Sequence, residues 1–436
     1  MRSIKFLVLL FLSMMGTPIS GQQPVTISLS EVMDRVKAGN IALKISDKTL
    51  KQSQADYKQT EAAFLPQVSV AYSGFTTNNP LMAFGARLNQ AVLTQNDFNP
   101  DLINNPDNTS NFATRLEVQQ LVFSPGRNLQ REVAKARLEA VKLQNSRTQE
   151  YLVFEVEVAY MKLQLAHEAL DVLEQTLKAA LANKKLAKDN YEQGYLQRAD
   201  VLAVEVRVTE VENQLQSARS QVQNASDQLA FLMSEPVRTT YLPTDSLLLT
   251  SPDLNQLEVS ENRADIRAMQ LTADARGGLV KAAKSAYLPR LEAFGRYELF
   301  DDGLFQGSAN GYTLGASLNW SLFEGNQRQA NLSKSQAAYD QAKLEYKQYL
   351  SQSRLEFNQA RRALQDAENK LRLIQLAMAQ SQESLRIRTD RFKEGLENTS
   401  DLLLAEAKYA QMRLEHFQAV FEHNYAQAYL SFLTHE

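Results

Sequence analysis

Residues 127–192 contain no proline and carry apolar side chains on two seven-residue seams. Tyr151, Phe154, Val158, Met161 and Leu165 form one seam; Leu152, Val156, Ala159, Leu163, Ala166, Leu170, Leu173 and Leu177 form the other. The spacing predicts one uninterrupted helix, about 100 Å long at 1.5 Å per residue, with its seams roughly 150° apart. Such a helix has neighbours on two flanks, as in a closed ring, whereas a two-stranded coil needs one seam. A second helix is predicted after Asp200, with Val201, Val204, Val208, Val211, Leu215, Ala218, Val222, Ala225, Leu229 and Leu232 as its seam. Further on, Leu350, Phe357, Leu364, Leu371, Met378, Leu385 and Phe392 recur every seventh residue. A strict seven-residue repeat imposes a left-handed supercoil.

Four other stretches alternate with period two. Val68, Val70 and Tyr72 alternate with Gln67, Ser69 and Ser73; Phe112, Leu116, Val118 and Val122 alternate with Arg115, Glu117 and Gln119. Leu291, Ala293, Gly295, Tyr297 and Leu299 alternate with Arg290, Glu292, Arg296 and Glu298, with Phe294 breaking the polar side. Tyr312, Leu314, Ala316, Leu318, Trp320 and Leu322 alternate with Thr313, Gly315, Ser317, Asn319 and Ser321. These are strands with one apolar and one polar face, each of about 9 to 12 residues, the length of a tilted transmembrane strand. A soluble sandwich with one wet face shows the same alternation, but long helices flanking every hairpin favour a barrel. Four strands cannot close one, since the smallest bacterial barrels use about eight. Three chains would supply twelve.

The patterns occur twice in the same order. Ala63-Phe64-Leu65-Pro66 closes a segment from Asn40, and Ala286-Tyr287-Leu288-Pro289 closes one from Arg263, an offset of 223 (289 − 66). Leu121-Val122-Phe123 with Gly126 answers Ser321-Leu322-Phe323 with Gly325. Tyr191-Glu192-Gln193-Gly194, with Asp200 six residues after the glycine, answers Phe392-Lys393-Glu394-Gly395 with Asp401. Such self-similarity marks a duplication. The chain reads as two structural repeats, 22–235 and 261–436, each a helix, a β-hairpin, a long helix and a further helix. A linker, 236–260, carries Pro236, Pro243 and Pro252. Pro66 to Phe123 spans 57 positions and Pro289 to Phe323 only 34, so the first repeat holds an insertion. Asn78 to Asn111, rich in Asn, Pro and Asp, has the composition of a solvated loop; because it lies between two strands on the side away from the helices, it is expected outside the cell.

Composition removes other classes. The 47 basic and 50 acidic residues are mixed along the chain, so no nucleic-acid partner is expected. Cysteine is absent, which excludes disulfides, thiolate metal sites and a cysteine nucleophile. Arg2 and Lys5, the apolar run Phe6 to Met15, and small residues at Ser20 and Gly21 read as a secretory signal over 1–21. The apolar run is about half of what a membrane-spanning helix needs. No other stretch suffices for a transmembrane helix, so any membrane span is a β-barrel. No nucleophile with its base, carboxylate pair or metal cluster has a recognisable spacing, and no glycine-rich phosphate loop is present. Neither enzyme activity nor a cofactor is expected. His416 and His423 share the seam of Met412, Ala419, Ala426 and Leu430, fitting two interhelical hydrogen bonds or a pH-responsive contact.

Taken together the features resemble the TolC and OprM family of outer-membrane factors over essentially the whole mature chain. The carrying residues are Leu65-Pro66 and Leu288-Pro289 at strand entry and Trp320-Ser321-Leu322-Phe323-Glu324-Gly325 at strand exit. The turns Tyr191 to Asp200 and Phe392 to Asp401 complete them. The resemblance implies a mainly α homotrimer with a transmembrane β part: a twelve-stranded barrel in the outer membrane of a Gram-negative bacterium, continued into the periplasm by a twelve-helix coiled-coil α-barrel. It implies contact with outer-membrane lipid, with a periplasmic adaptor protein and with an inner-membrane pump of RND or ABC type. The function implied is passive conduction of cargo to the exterior, in tripartite efflux or type I secretion. Two positions depart from the family pattern: Gly126 and Gly325 stand alone where glycines are usually paired, and Leu404 stands where some members carry a second aspartate.

In that frame Tyr191, Gly194, Phe392 and Gly395 lie at the helix-turn tips and are expected to meet the adaptor. Asp401 and Asp200 are expected to form the periplasmic gate, unless they only cap the helices that follow. Tyr312 and Trp320 suit the aromatic girdles. The main rival function is a periplasmic coiled-coil spacer or adaptor without a pore, which has no use for four strands of membrane length. A secreted hydrolase lacks the residues for its chemistry.

Overall fold

A computed structural model describes residues 24–250 and 258–435. The expected signal, 1–21, and Pro252 of the expected linker lie outside these residues. The elements in order are β1 (Val25–Ile27), α1 (Leu29–Gly39), α2 (Ile41–Glu61), β2 (Gln67–Thr77), α3 (Pro80–Asn89), α4 (Pro100–Asn104), β3 (Thr109–Phe123), α5 (Pro125–Glu192) and α6 (Arg198–Met233). They continue with β4 (Tyr241–Pro243), α7 (Ala264–Ser285), β5 (Arg290–Asp301), β6 (Ala309–Asn319), α8 (Gln327–Lys393) and α9 (Thr399–Thr434). The chain divides into two compact units.

The first unit comprises the described residues of 1–44, 148–260 and 353–435 and is mainly helical, with the short parallel pair β1–β4. Both seams of α5 are occupied within it. Leu152, Val156, Ala159 and Leu163 pack with Val32 and Val36 of α1 and with Leu229 and Leu232 of α6. Burying each such valine or leucine contributes about 1.5–3 kcal/mol. On the other seam the Phe154 ring stacks on Phe432 at 5.3 Å, while Met161 and Leu165 pack against Leu371, Ala419 and Val420. The helix thus has α6 on one flank and α9 on the other, as its two seams require. The α6 seam runs as expected, with Ala225 partly buried against the core that α6 shares with α1 and α5, and Ser226 beside it is fully buried. The reason is polar: the Ser226 hydroxyl accepts the amide of Tyr241 at 3.0 Å, where β4 pairs with β1. On α8 the seventh-residue seam is buried at Phe357, Leu364, Leu371 and Phe392. A further set, Leu355, Leu373, Leu376 and Ile387, is exposed in the single chain.

The second unit comprises 45–147 and 261–352 and holds a four-stranded antiparallel sheet of order β2-β3-β5-β6. Register pairs Val70 with Leu116, Leu116 with Tyr297, and Tyr297 with Tyr312, a continuous apolar row. The opposite face pairs Arg115 with Glu298 and Glu117 with Arg296. Phe294, the apolar exception on that face, lies over Gly315, where a Cβ would come within 2.7 Å of its ring. Outside the sheet, Asp265 at the start of α7 accepts from Arg263 at 2.7 Å and from the Tyr349 hydroxyl at 2.6 Å. Burial would raise the Asp265 carboxyl, but those bonds hold it below its ordinary value.

The Asn-, Pro- and Asp-rich insertion, expected as a solvated loop, carries two short helices between β2 and β3. Asn79 caps α3 with Pro80 in its first turn, and Asn99 caps α4 with Pro100 in the same place. The composition that suggests a loop supplies the caps and helix starts of two short helices. Arg87 pairs with Asp97 at 2.6 Å, and Phe84 meets Phe98 edge-on at 5.8 Å.

Candidate functional site

The candidate sites are the paired helix turns of the first unit and the polar sheet face of the second. At the end of α5 the Gly194 amide donates to the Tyr191 carbonyl at 2.9 Å and the Tyr195 amide to the Asn190 carbonyl at 2.9 Å. At the end of α8 the Gly395 amide donates to Phe392 at 3.1 Å and the Leu396 amide to Arg391 at 2.9 Å. Both are Schellman closures, which need a left-handed residue after the helix, and the glycines have φ of +82° and +70°. The repeated aromatic-x-x-glycine is therefore the chemistry of stopping a long helix. Tyr191 is exposed and Phe392 is buried. The residues following the glycines, Tyr195 and Leu396, are apolar and exposed in both turns, a shared feature that the motif's spacing did not single out.

The two aspartates differ. Asp200 accepts from the Gln197 amide at 3.1 Å, completing a capping box at the start of α6. At the start of α9 the cap is Asn398, whose Oδ1 accepts the Asp401 amide at 2.7 Å. The Asp401 carboxylate takes a 2.6 Å bond from Asn398 Nδ2 and stands 3.7 Å from Arg388. Arg388 and Arg391 also bind the two oxygens of Glu397, at 2.8 and 2.9 Å. Nothing in helical or strand periodicity marks that staple, because Glu397 lies in the turn. Deeper in the bundle, Glu406 of α9 accepts from Asn183 of α5 at 3.1 Å through one oxygen. Its other oxygen is buried without a partner among the described residues, and burial raises the carboxyl above its ordinary value.

On the polar sheet face Arg115 bonds Glu298 at 2.7 Å and Arg296 bonds Glu117 at 2.9 Å. The four charges alternate in sign, so the face is strongly hydrated yet carries little net field. A cavity of about 250 Å³ on this face is lined by Gln67, Gln119, Arg127, Arg290 and Glu292 among others. Tyr312 stands near one end of β6 on the apolar face, 78% exposed. Trp320 follows the other end, its indole N–H donating to the Tyr287 carbonyl at 3.0 Å. His423 is buried, with Nδ1 3.3 Å from Asn424 Oδ1, and the Nδ1 of His416 has no partner among the described residues.

The model of the family described as "Outer membrane efflux protein" matches residues 32–235 and 257–434. The chain belongs to this family. It is accordingly a protein of the Gram-negative outer membrane. Among relatives of the outer membrane efflux proteins, OprJ of Pseudomonas aeruginosa is 27% identical over 144 residues, which are 32% of this chain and 30% of OprJ. The fold is similar to that of VceC from Vibrio cholerae, with a TM-score of 0.77 and 18% identity over 92% of this chain and 95% of that one. It is similar also to the open state of the MtrE channel of Neisseria gonorrhoeae, at 0.78 and 17% over 93% and 88%. No helix among the described residues is long and apolar enough to cross a membrane.

Proposed function

We propose that three copies of this chain form the exit duct of a tripartite efflux or type I secretion system, passively conducting cargo from the periplasm to the exterior. The observation that carries this is the pair of open sheet edges. Among the described residues β2 and β6 are each hydrogen-bonded on one side only, and each is 11 residues long. They run in opposite directions, so β6 of one copy continues the antiparallel ladder into β2 of the next. In lipid an unpaired edge costs several kcal/mol per group, and closure removes the edge. Eleven residues at about 3.3 Å each, tilted by about 40°, rise roughly 28 Å, close to the hydrocarbon thickness of a bilayer.

The apolar face, exposed at Val70, Tyr312 and Leu314, then meets outer-membrane lipid and the charge-paired face becomes the lumen. Tyr312 and Trp320 fall at opposite ends of β6 and serve as the two aromatic girdles. The exposed leucines of α8 find neighbours in the other copies of a helical tunnel. The turns at Tyr191–Gly194 and Phe392–Gly395 receive a periplasmic adaptor coupled to an inner-membrane pump of RND or ABC type. Asp401 and Asp200 stand at the periplasmic gate. The test is the mass of the detergent-solubilised protein together with its conductance in planar bilayers. A conducting trimer is expected, and a monodisperse monomer or dimer without conductance would overturn the reading.

A further inference from the structure

The insertion of the first half does not project freely from the sheet. Its helix α3 packs against β3 and also against β6, two strands that are not neighbours. Asn111 and Ala113 stand on the same face of β3 as Arg115 and Glu117, by strand alternation. Ala113 is paired with Phe300, and Phe300 with Ala309 of β6. Asn111, Ala113 and Ala309 are all buried. Gln90, just past the helix and itself buried, shares its amide nitrogen among Asn111 Oδ1 at 3.0 Å and the carbonyls of Ser110 and Asp301 at 2.8 and 3.2 Å. The helix therefore lies across the loop end of the charge-paired face, seated through the small side chains of Ala83 and Ala86, which are almost fully buried.

Residues opposite that seat face away from the sheet. Leu81 and Leu88 are each about 160° from an alanine of the seat, at 100° per residue. They are 82% and 57% exposed in the single chain. An apolar pair is out of keeping with a face that is otherwise charged and hydrated. The seat is also rigid, since the Arg87–Asp97 ion pair and the Phe84–Phe98 contact hold the helix to the turn behind it.

We propose that α3 narrows the outer mouth of the duct, with Leu81 and Leu88 of three copies forming an apolar ring around its axis. This rests on the trimeric barrel reading, in which the charge-paired face is the lumen. Twelve strands about 4.8 Å apart and tilted by about 40° close a cylinder of roughly 12 Å radius. A helix with its side chains is about 10 Å across, so three of them against the inner wall occupy most of the mouth. A constriction lined by leucine opposes hydrated ions by dewetting and yields more readily to apolar cargo. The occupant of the exposed leucine face is thus the same face of the other two copies.

The chain has no cysteine, so Leu88→Cys introduces a single thiol. In purified trimer a short bis-maleimide is expected to join Leu88→Cys protomers into covalent dimers on a denaturing gel. Tyr312→Cys, on the opposite face of the sheet, should react with a monofunctional maleimide but not join. A trimer in which Leu88→Cys takes up the monofunctional reagent and yet does not join overturns the constriction while leaving the barrel intact. Wild-type protein that forms no trimer overturns the barrel and the constriction with it. Should Leu88→Cys fail to assemble, Leu81→Cys on the same helix face gives the same two readings.

Discussion

Gly395→Ala tests the second turn most directly. The glycine sits at φ +70°, and a Cβ placed there would meet nothing within 4 Å. Steric collision with other residues therefore contributes nothing, and the cost is the left-handed backbone alone, about 1–2 kcal/mol for a residue with a Cβ. Asparagine tolerates this conformation better, so Gly395→Asn should lose clearly less. The change acts where the Gly395 and Leu396 amides close the end of α8. Local opening of the turn should become about 5–30-fold more frequent for 1–2 kcal/mol. Hydrogen exchange of a peptide spanning residues 390–398, measured in the detergent-solubilised protein, reads this without unfolding the remainder. Exchange in Gly395→Ala within twofold of wild type, or Gly395→Asn as damaging as alanine, would show that the turn does not hold the left-handed closure.

Three further outcomes are expected. Because burial raises the Glu406 carboxyl, its folded form holds a proton more tightly than its unfolded form, so its contribution is favourable at acid pH and is lost as pH rises through the raised value. Glu406→Gln keeps an acceptor for Asn183 and should stabilise by about 1–3 kcal/mol at pH 8 but little near pH 4; an unchanged or lower thermal midpoint at pH 8 refutes this. Asp401→Asn should abolish cation preference and divalent block in bilayer recordings if the carboxylate lines the gate, whereas unchanged selectivity in a folded trimer removes Asp401 from it. A tag inserted at exposed Asn105 should be labelled on intact cells, and its protection beside a labelled surface control would reverse the proposed topology.

What was legible in the sequence depended on periodicity. The two seams of α5 and the alternation of the strands survive as burial patterns because each is a repeat in one dimension, set by helix and strand geometry. The burial of Ser226 beside Ala225 was not legible, since it depends on an amide from a strand 15 residues away. The insertion is read from composition as a solvated loop, but its two short helices were not legible for a related reason: Asn79, Pro80, Asn99 and Pro100 are loop-forming by composition but cap and start helices when a helix follows. The Arg388, Arg391 and Glu397 staple joins a helix face to a turn, and no period crosses that boundary. At the turns the glycines were legible, while the distinction between Asp200 in a capping box and Asp401 beside Arg388 required the side-chain bonds.

Element lengths add a constraint that sequence similarity between the halves does not. α5 and α8 have 68 and 67 residues, and α6 and α9 have 36 each. The helices before the hairpins, α2 and α7, have 21 and 22. A closed ring built from quasi-equivalent elements requires this equality, because a helix one turn longer than its counterpart would carry its terminal turn about 5.4 Å out of level. The two half-chains hold their helix lengths within one residue while differing at most positions. The hairpin connections escape the constraint, since they join strands only at the ends where the ladder stops. The loop from Thr77 to Thr109 holds α3 and α4, whereas that from Asp301 to Ala309 has no helix. An addition there leaves the ladder and the ring unchanged, so it is the place where the two halves can differ in function without disturbing assembly. The side-chain ring proposed for α3 would be a difference of that kind, present once per chain.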